Sequence, residues 1–413
     1  MTTSSPDPRR ARRRAGIVAL IAILAVAAAV AVWAALRNPV PPTASPTQTA
    51  PTSSPAPTSA EPSPEPTDQD PLAGWTLEQK VGQLFVVGLD LTTPEQVSRD
   101  LVTERHVGNV FLHGRSSAGV DAISAVVDDF ASLATPEATN GAPMLIAADQ
   151  EGGTVQTLSG PGFSTIPSAL EQASVDPAEL QAQAAGWGDE LAAAGVNLNL
   201  APVLDLVPEE SAASNPPIGA LARNYGFTAD SVSSHGTAFA RGMAAAGVAT
   251  AAKHFPGLGF VTQNTDGTAG VTDATTTWDS PSIGVFADGV EAGVQLVMMS
   301  TAIYTQMDPG APAAFSSEVV QHGVRELLGF DGPIITDDLS GATQVEAWSP
   351  GDRAILAIEA GCDLVLFSKV PSVAPEAVDA VVAKAQSDAA FAARIDESVR
   401  RVIALKESMG LLD

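Results

Sequence analysis

Short apolar runs recur along this chain, separated by stretches in which hydrophobic positions return every three or four residues. The runs are QLFVVGL (83–89), GNVFLHG (108–114), PMLIAAD (143–149), VNLNLAPVLD (196–205), VATAAKHF (248–255), VQLVMMSTAIY (294–304), GPIITDDL (332–339) and CDLVLFSK (362–369). Bounded apolar runs of this length read as strands buried on both faces. Between them, amphipathic, alanine-rich segments predict helices at 118–134, 177–194, 229–246, 281–293, 316–328, 351–360 and 373–388. Near-continuous apolar strands, each followed by a helix, imply a parallel sheet covered by helices. Eight such units favour an α/β fold of the closed (β/α)8 TIM-barrel type, a single catalytic domain, over an open doubly wound sheet. Thr76-Leu77-Glu78-Gln79 has the pattern of a capping box and marks a first helix.

The N-terminal 71 residues have a different character. Arg9, Arg10, Arg12, Arg13 and Arg14 sit directly before an uncharged apolar stretch, Ala15 to Leu36. As a helix that stretch is long enough to cross about 30 Å of hydrocarbon, and arginines on its amino side predict a cytoplasmic tail with the remainder exported. A cleaved signal sequence is the rival, and small residues such as Ala31 and Ala34 leave cleavage open. From 37 to 71 the chain is rich in Pro, Ser and Thr and has no aromatic residue, the composition of a disordered, extended linker. The expected organisation is a basic tail (1–14), a transmembrane anchor or signal sequence (15–36), a linker (37–71) and a globular domain (72–413). The expected location is the cell membrane with the domain outside the cytoplasm, or a secreted form after cleavage.

Composition narrows the partners. Lys and Arg number 21 against 47 Asp and Glu, a formal net charge of −26. Such a surface is unsuited to nucleic acid, whose phosphates require basic groups. Cys362 is the sole cysteine, which excludes an intrachain disulfide and a cysteine-built zinc site; its apolar surroundings predict a buried, inert thiol.

In a barrel of this kind chemistry gathers at the C-terminal ends of the strands. Strand three ends at Asp149, followed by Gln150-Glu151-Gly152-Gly153; strand four ends at Asp205, strand five at Lys253-His254 and strand seven at Asp337-Asp338. A carboxylate at Asp337 can attack an anomeric carbon and form a covalent glycosyl-enzyme. The Asp337-Asp338 pair also suits a hard cation. Lys253 and His254 supply donors for sugar hydroxyls, and Lys253 alternatively suits a Schiff base. Pro256-Gly257 turns the chain, and Gly259 permits a second bend or a close backbone approach. His113 and Arg115 read as loop residues, Trp75 and Trp278 as packing residues. Asp149 to Thr154 lacks the Lys-Ser/Thr of a phosphate loop.

Five segments in order, DQEGG (149–153), GVNLNLAPVLD (195–205), IGALARNYG (218–226), KHFPGLG (253–259) and IITDDL (334–339), resemble the glycoside hydrolase family 3 β-N-acetylglucosaminidases of the cell-wall-recycling type. The resemblance runs from about Leu77 to Leu412. It implies a (β/α)8 barrel that needs no cofactor or metal and acts on an amino-sugar glycan or muropeptide. It implies Asp337 as nucleophile, with Asp149, Arg223, Lys253 and His254 holding the hydroxyls and acetamido group of N-acetylglucosamine. Asp205 is left outside the catalytic set, as an acceptor for loop N–H groups. The family's acid/base loop, Asp-Ser/Thr-His, is replaced here by Asn264-Thr265-Asp266. The expectation is that Asp266 itself protonates the leaving oxygen, oriented by Asn264, with Asp273 and Glu151 as other candidate donors. The alternatives are a catalytically weak glycan-binding envelope protein on the same barrel, or a β-glucosidase of the same family.

Overall fold

A computed structural model describes residues 70–412. All eight predicted strands form: β1 (Phe85–Asp90), β2 (Asn109–His113), β3 (Leu145–Ala148), β4 (Leu198–Asn199), β5 (Ala249–Phe255), β6 (Leu296–Met299), β7 (Ile334–Asp338) and β8 (Leu364–Phe367). They pair in parallel in chain order, and β8 closes back onto β1, giving the expected closed barrel. Alternation sorts the side chains. Val86, Phe111, Leu145, Leu198, Ala251, Met298, Ile335 and Leu366 fill the interior, while residues such as Phe85, Val87, Val297 and Phe367 face the covering helices.

The seven predicted helices are present, among them Pro177–Ala193, Ala229–Ala245 and Pro350–Ala360; Glu318–Leu327 is wound as a π-helix. The capping box forms, with Thr76 Oγ1 accepting from Gln79 N and the Gln79 side chain accepting from Thr76 N. Two further long helices, Gln96–Arg105 and Ala389–Ser408, and two single-turn ones, Pro136–Thr139 and Ala169–Gln172, were not singled out from the sequence. Ala389–Ser408 closes the barrel floor, where its Val402 and Leu405, with Met409 and Leu411 beyond it, pack on the interior cluster.

The fourth apolar run yields only two strand residues. Here side-chain amides take over part of the ladder. Asn197 Oδ1 accepts from Ile146 N at 2.8 Å and Asn199 Oδ1 from Gln150 N at 3.0 Å, while their Nδ2 groups donate back to Met144 O and Gln150 O. The sixth run also divides: β6 stops at Met299, and Ile303–Tyr304 pairs outside the barrel with Thr272–Asp273. Cys362 is buried and free, as expected. The tail and the apolar stretch, 1–14 and 15–36, lie outside the described residues, as does the linker except for Asp70 and Pro71. Among the described residues no helix is long and apolar enough to cross a membrane.

Candidate active site

At the C-terminal mouth of the barrel lies a cavity of about 300 Å³. Asp149, Arg223, Lys253, His254, Asp266 and Asp337, the nucleophile, first-choice acid/base group and sugar-holding residues expected from the sequence, line it. They arrive on β3, β5, β7 and two loops. The loop carrying Arg223 is tied to the one after β5 by Asn215. Its Oδ1 accepts from Gly219 N at 2.9 Å, and its Nδ2 donates to Leu258 O at 2.8 Å and Val261 O at 3.0 Å. Gly259 is the close backbone approach that its position suggested: a Cβ there would fall 1.8 Å from Leu206 O. The Lys253–His254 and Phe255–Pro256 peptide bonds are cis.

Glu151 is the pivot of one wall. It is buried, its Oε1 2.7 Å from Arg223 Nη2 and 2.6 Å from Lys253 Nζ, and its Oε2 accepts from Arg223 Nε at 2.8 Å. Lys253 Nζ also reaches Asp149 Oδ1 at 2.6 Å. Burial alone would raise the pKa of Glu151, but Arg223 and Lys253 outweigh it and hold the group down at about 2. Glu151 is thus a fixed anion and cannot serve as proton donor. Lys253 in turn has a raised pKa, because Asp149 and Glu151 overcome its burial. A lysine held protonated by two carboxylates is not poised to form a Schiff base. Arg223 is held by Glu151 through both Nε and Nη2. Of this cluster Asp149 keeps the most exposure, 31% of its side chain, and so remains free to meet a ligand. The sequence offered Glu151 only as a candidate donor; its role as the partner of Arg223 and Lys253 had no signal beyond a second carboxylate in the glycine turn directly after β3.

Asp205 behaves as expected and does more. Its Oδ1 accepts from His254 N and Leu258 N, and its Oδ2 lies 2.7 Å from His254 Nδ1. That contact fixes the imidazole and leaves Nε2 as the ring nitrogen without a protein partner among the described residues.

Asp337 and Asp338, adjacent in sequence, have different surroundings. Asp338 is occupied by its own loops: Oδ1 accepts from Ser340 Oγ at 2.7 Å and Ser368 N at 2.8 Å, and Oδ2 from Gly341 N at 2.8 Å. With those lone pairs committed, the pair is not a cation cage, and no carboxylate or imidazole cluster fit for a metal occurs among the described residues. Asp337 instead faces the cavity, half-buried, with one bond from Asp338 N to its Oδ1 at 2.8 Å. Burial pushes its carboxyl up to about 6; His254 opposes the rise and the Asp266 carboxylate adds to it.

The Asn264-Thr265-Asp266 loop is pinned to the segment after β7. Gln344 N donates to Thr265 O at 3.1 Å and Thr343 N to Asp266 O at 3.3 Å. Asn264 Oδ1 accepts from Asp266 N at 2.9 Å, so the amide does orient Asp266, through its backbone. The Asp266 side chain is exposed at the cavity wall. Asp273, the other candidate donor, is buried outside the cavity, capping a turn through Thr275 N, Thr276 N and Thr276 Oγ1. Trp278 stacks edge-on against His322 and Trp75 packs on the core, as expected. Arg115 donates to Thr154 O. His113, read as a loop residue, does line the cavity, and so does Lys369 after β8, which sequence reasoning missed although it closes the eighth apolar run.

The family model for the glycosyl hydrolase family 3 N terminal domain matches residues 76–405. A beta-hexosaminidase from Vibrio cholerae is 34% identical over 301 residues, 72% of this chain and 84% of that protein. A protein from Arthroderma benhamiae described as an uncharacterized secreted glycosyl hydrolase is 33% identical over 332 residues, 77% of this chain and 90% of its own. The crystal structure of a β-N-acetylhexosaminidase from Beutenbergia cavernae is 61% identical and superposes with a TM-score of 0.80 over 80% of this chain and 98% of that one. With the closed barrel and one cavity uniting six residues chosen from sequence, these matches lead to one statement: the chain belongs to glycosyl hydrolase family 3 and is a glycoside hydrolase of the β-N-acetylhexosaminidase type.

Proposed function

We propose that this protein is a retaining enzyme that releases terminal β-linked N-acetylglucosamine from muropeptides or related glycans through a covalent ester on Asp337. The observation that carries the reading is the pairing of Asp337, a half-buried carboxyl facing the cavity, with the exposed Asp266 in the same cavity. Asp149 and Lys253 hold ring hydroxyls at one wall, and Arg223 and His254 complete the contacts to hydroxyls and the acetamido group. Ionised Asp337 attacks the anomeric carbon while Asp266 gives its proton to the departing glycosidic oxygen. Water then enters, Asp266 takes a proton from it, and the new bond to the sugar displaces Asp337, restoring both carboxyl groups with retained configuration. The small cavity suits one terminal sugar ring rather than the middle of a long chain.

A carboxylate base disfavours an anionic acceptor, so water is the acceptor and phosphate is not. Formation of N-acetylglucosamine 1-phosphate in phosphate buffer would contradict that assignment. The arginine-flanked apolar stretch and the Pro/Ser/Thr linker support export and anchoring by the N-terminal segment; the secreted description of the Arthroderma relative agrees.

The test is turnover of a chromogenic β-N-acetylglucosaminide by the purified protein. Asp337→Ala abolishes it, and a 2-fluoro mechanism-based sugar labels Asp337. Asp266→Ala slows hydrolysis of unactivated glycosides by roughly 10²–10⁴-fold and spares substrates with good leaving groups. A wild type that binds the sugar without cleaving it overturns the reading in favour of a glycan-binding protein. Preference for glucosides over glucosaminides overturns the substrate.

A further inference from the structure

The loop that carries Asp266 has few attachments. Between Thr262 and Gly270 only Thr265 is buried. Among the described residues two hydrogen bonds tie this stretch to other segments: Thr265 O accepts from Gln344 N, and Asp266 O from Thr343 N. Where the loop ends, at buried Val271, the same glutamine returns. Its Oε1 accepts from Val271 N at 2.8 Å, and its Nε2 donates to Val271 O at 3.1 Å. Ile303 N shares Val271 O, whereas Val271 N has no other acceptor among the described residues. A side-chain amide thus stands in for a strand partner. Gln344 is itself buried, so competing water is kept from these bonds. One residue grips the loop at Thr265 with its backbone and at Val271 with its side chain.

The grip is anchored beside the proposed nucleophile. Gln344 lies in a 3-10 turn, Thr343–Val345, that follows β7. The stretch between is fixed by Asp338, whose Oδ1 accepts from Ser340 Oγ at 2.7 Å and whose Oδ2 accepts from Gly341 N at 2.8 Å. Arg353 Nη1 adds a bond to Leu339 O at 2.8 Å. The end of β7, the turn and the Asp266 loop are therefore joined by consecutive hydrogen bonds. We infer that Gln344 is a positioning residue: it keeps the loop formed at the cavity wall, so that the Asp266 carboxyl is already in place when a glycosidic oxygen arrives. The inference rests on the acid/base reading of Asp266 given above.

Gln344→Met keeps the bulk and removes the amide, leaving Val271 N buried without an acceptor. In the full-length protein it should speed hydrogen exchange over 262–271 by about tenfold or more. It should lower kcat/KM for methyl β-N-acetylglucosaminide by about tenfold or more, and by about fivefold more than for the 2,4-dinitrophenyl glycoside, whose leaving group needs no proton. In an Asp266→Ala background the same substitution should cost less than about twofold, because the group it positions is gone. Thr343→Pro carries the test should Gln344→Met not fold. It deletes the bond to Asp266 O at the first position of the turn, which tolerates proline, after an Ala342 that is already extended at φ −75° and ψ 122°. The same selectivity for the poor leaving group is expected of it. Unchanged exchange, equal losses on the two glycosides, or an undiminished loss in the Asp266→Ala background overturns the proposal. Asp266→Ala alone judges the reading beneath it. If that variant does not discriminate between the glycosides, the acid/base assignment falls and the role of Gln344 with it. Discrimination by Asp266→Ala but not by Gln344→Met sinks the positioning role alone.

Discussion

Asp337, the proposed nucleophile, shows what a carboxyl in such a cavity costs the protein that carries it. Burial lifts its pKa to about 6, above its ordinary 3.8. The folded state therefore holds the proton more tightly than the unfolded chain. Between about pH 4 and about pH 6 folding takes up protons, stability falls as pH rises, and above that window the whole penalty is present. Asp337→Asn removes it. The variant should be more stable than the parent by about 1–2 kcal/mol at neutral pH, with the gain vanishing below about pH 4; urea unfolding at two pH values measures this. On the proposed mechanism the same carboxyl sets an activity limb. The nucleophile must be ionised, so kcat/KM should rise with pH through the region near 6. Because the Asp266 carboxylate helps to raise the Asp337 pKa, Asp266→Asn should move that limb to lower pH while lowering the plateau. A limb that moves upward, or stays, would place the negative charge felt by Asp337 elsewhere.

Elements explain why so much of this was readable and where reading stopped. The eight runs declared their strands because buried parallel strands are apolar on both faces, and the mouth declared itself because polar residues begin where each run ends. Asn197 and Asn199 hid the true length of β4, since their amides replace backbone ladder bonds and look like ordinary polar breaks. Contacts between distant segments left no local signature: nothing around Glu151 in sequence announces Arg223 and Lys253 as its partners. The floor of the barrel was equally illegible. Asp363, just before β8, is fully buried and joins β7, the π-helix and the last helix. It accepts from Ile334 N at 2.9 Å, Arg394 Nη2 at 2.7 Å, Ser398 Oγ at 2.8 Å and Arg401 Nη1 at 3.2 Å, and it pairs with Arg325. Removing one partner of such a cluster leaves uncompensated charge, so Asp363→Ala should destabilise by about 3–5 kcal/mol. The specific activity of the remaining folded protein should not change, because the cluster lies at the end opposite the mouth. Loss of activity in step with retained stability would reverse the assignment.

Among the described residues, charge is sorted by depth: a polar mouth where Arg223 and Lys253 are paired, an apolar interior and a buried amine beneath it. Lys406, on the helix that closes the floor, is fully buried. Its Nζ donates to Gln83 Oε1 at 2.7 Å and Gly108 O at 3.3 Å, and no carboxylate faces it within salt-bridge distance among the described residues. Burial lowers its pKa to about 7, from an ordinary 10.5. Here the unfolded chain binds the proton more tightly. Stability must therefore rise with pH between about 7 and about 10, as the folded amine sheds its charge while the unfolded one keeps it. Below that window the folded protein carries a buried cation with two neutral acceptors. Lys406→Met keeps most of the packing stem and removes the titration, at the expense of two hydrogen bonds worth about 1 kcal/mol each. The variant should gain on the parent at pH 6 and lose to it at pH 10, the difference between the two pH values amounting to ~2 kcal/mol or more. Other groups titrate alike in both proteins and cancel in that comparison. A pH-independent difference would mean that Lys406 keeps its charge across the range, and that solvent or an anion reaches the barrel floor.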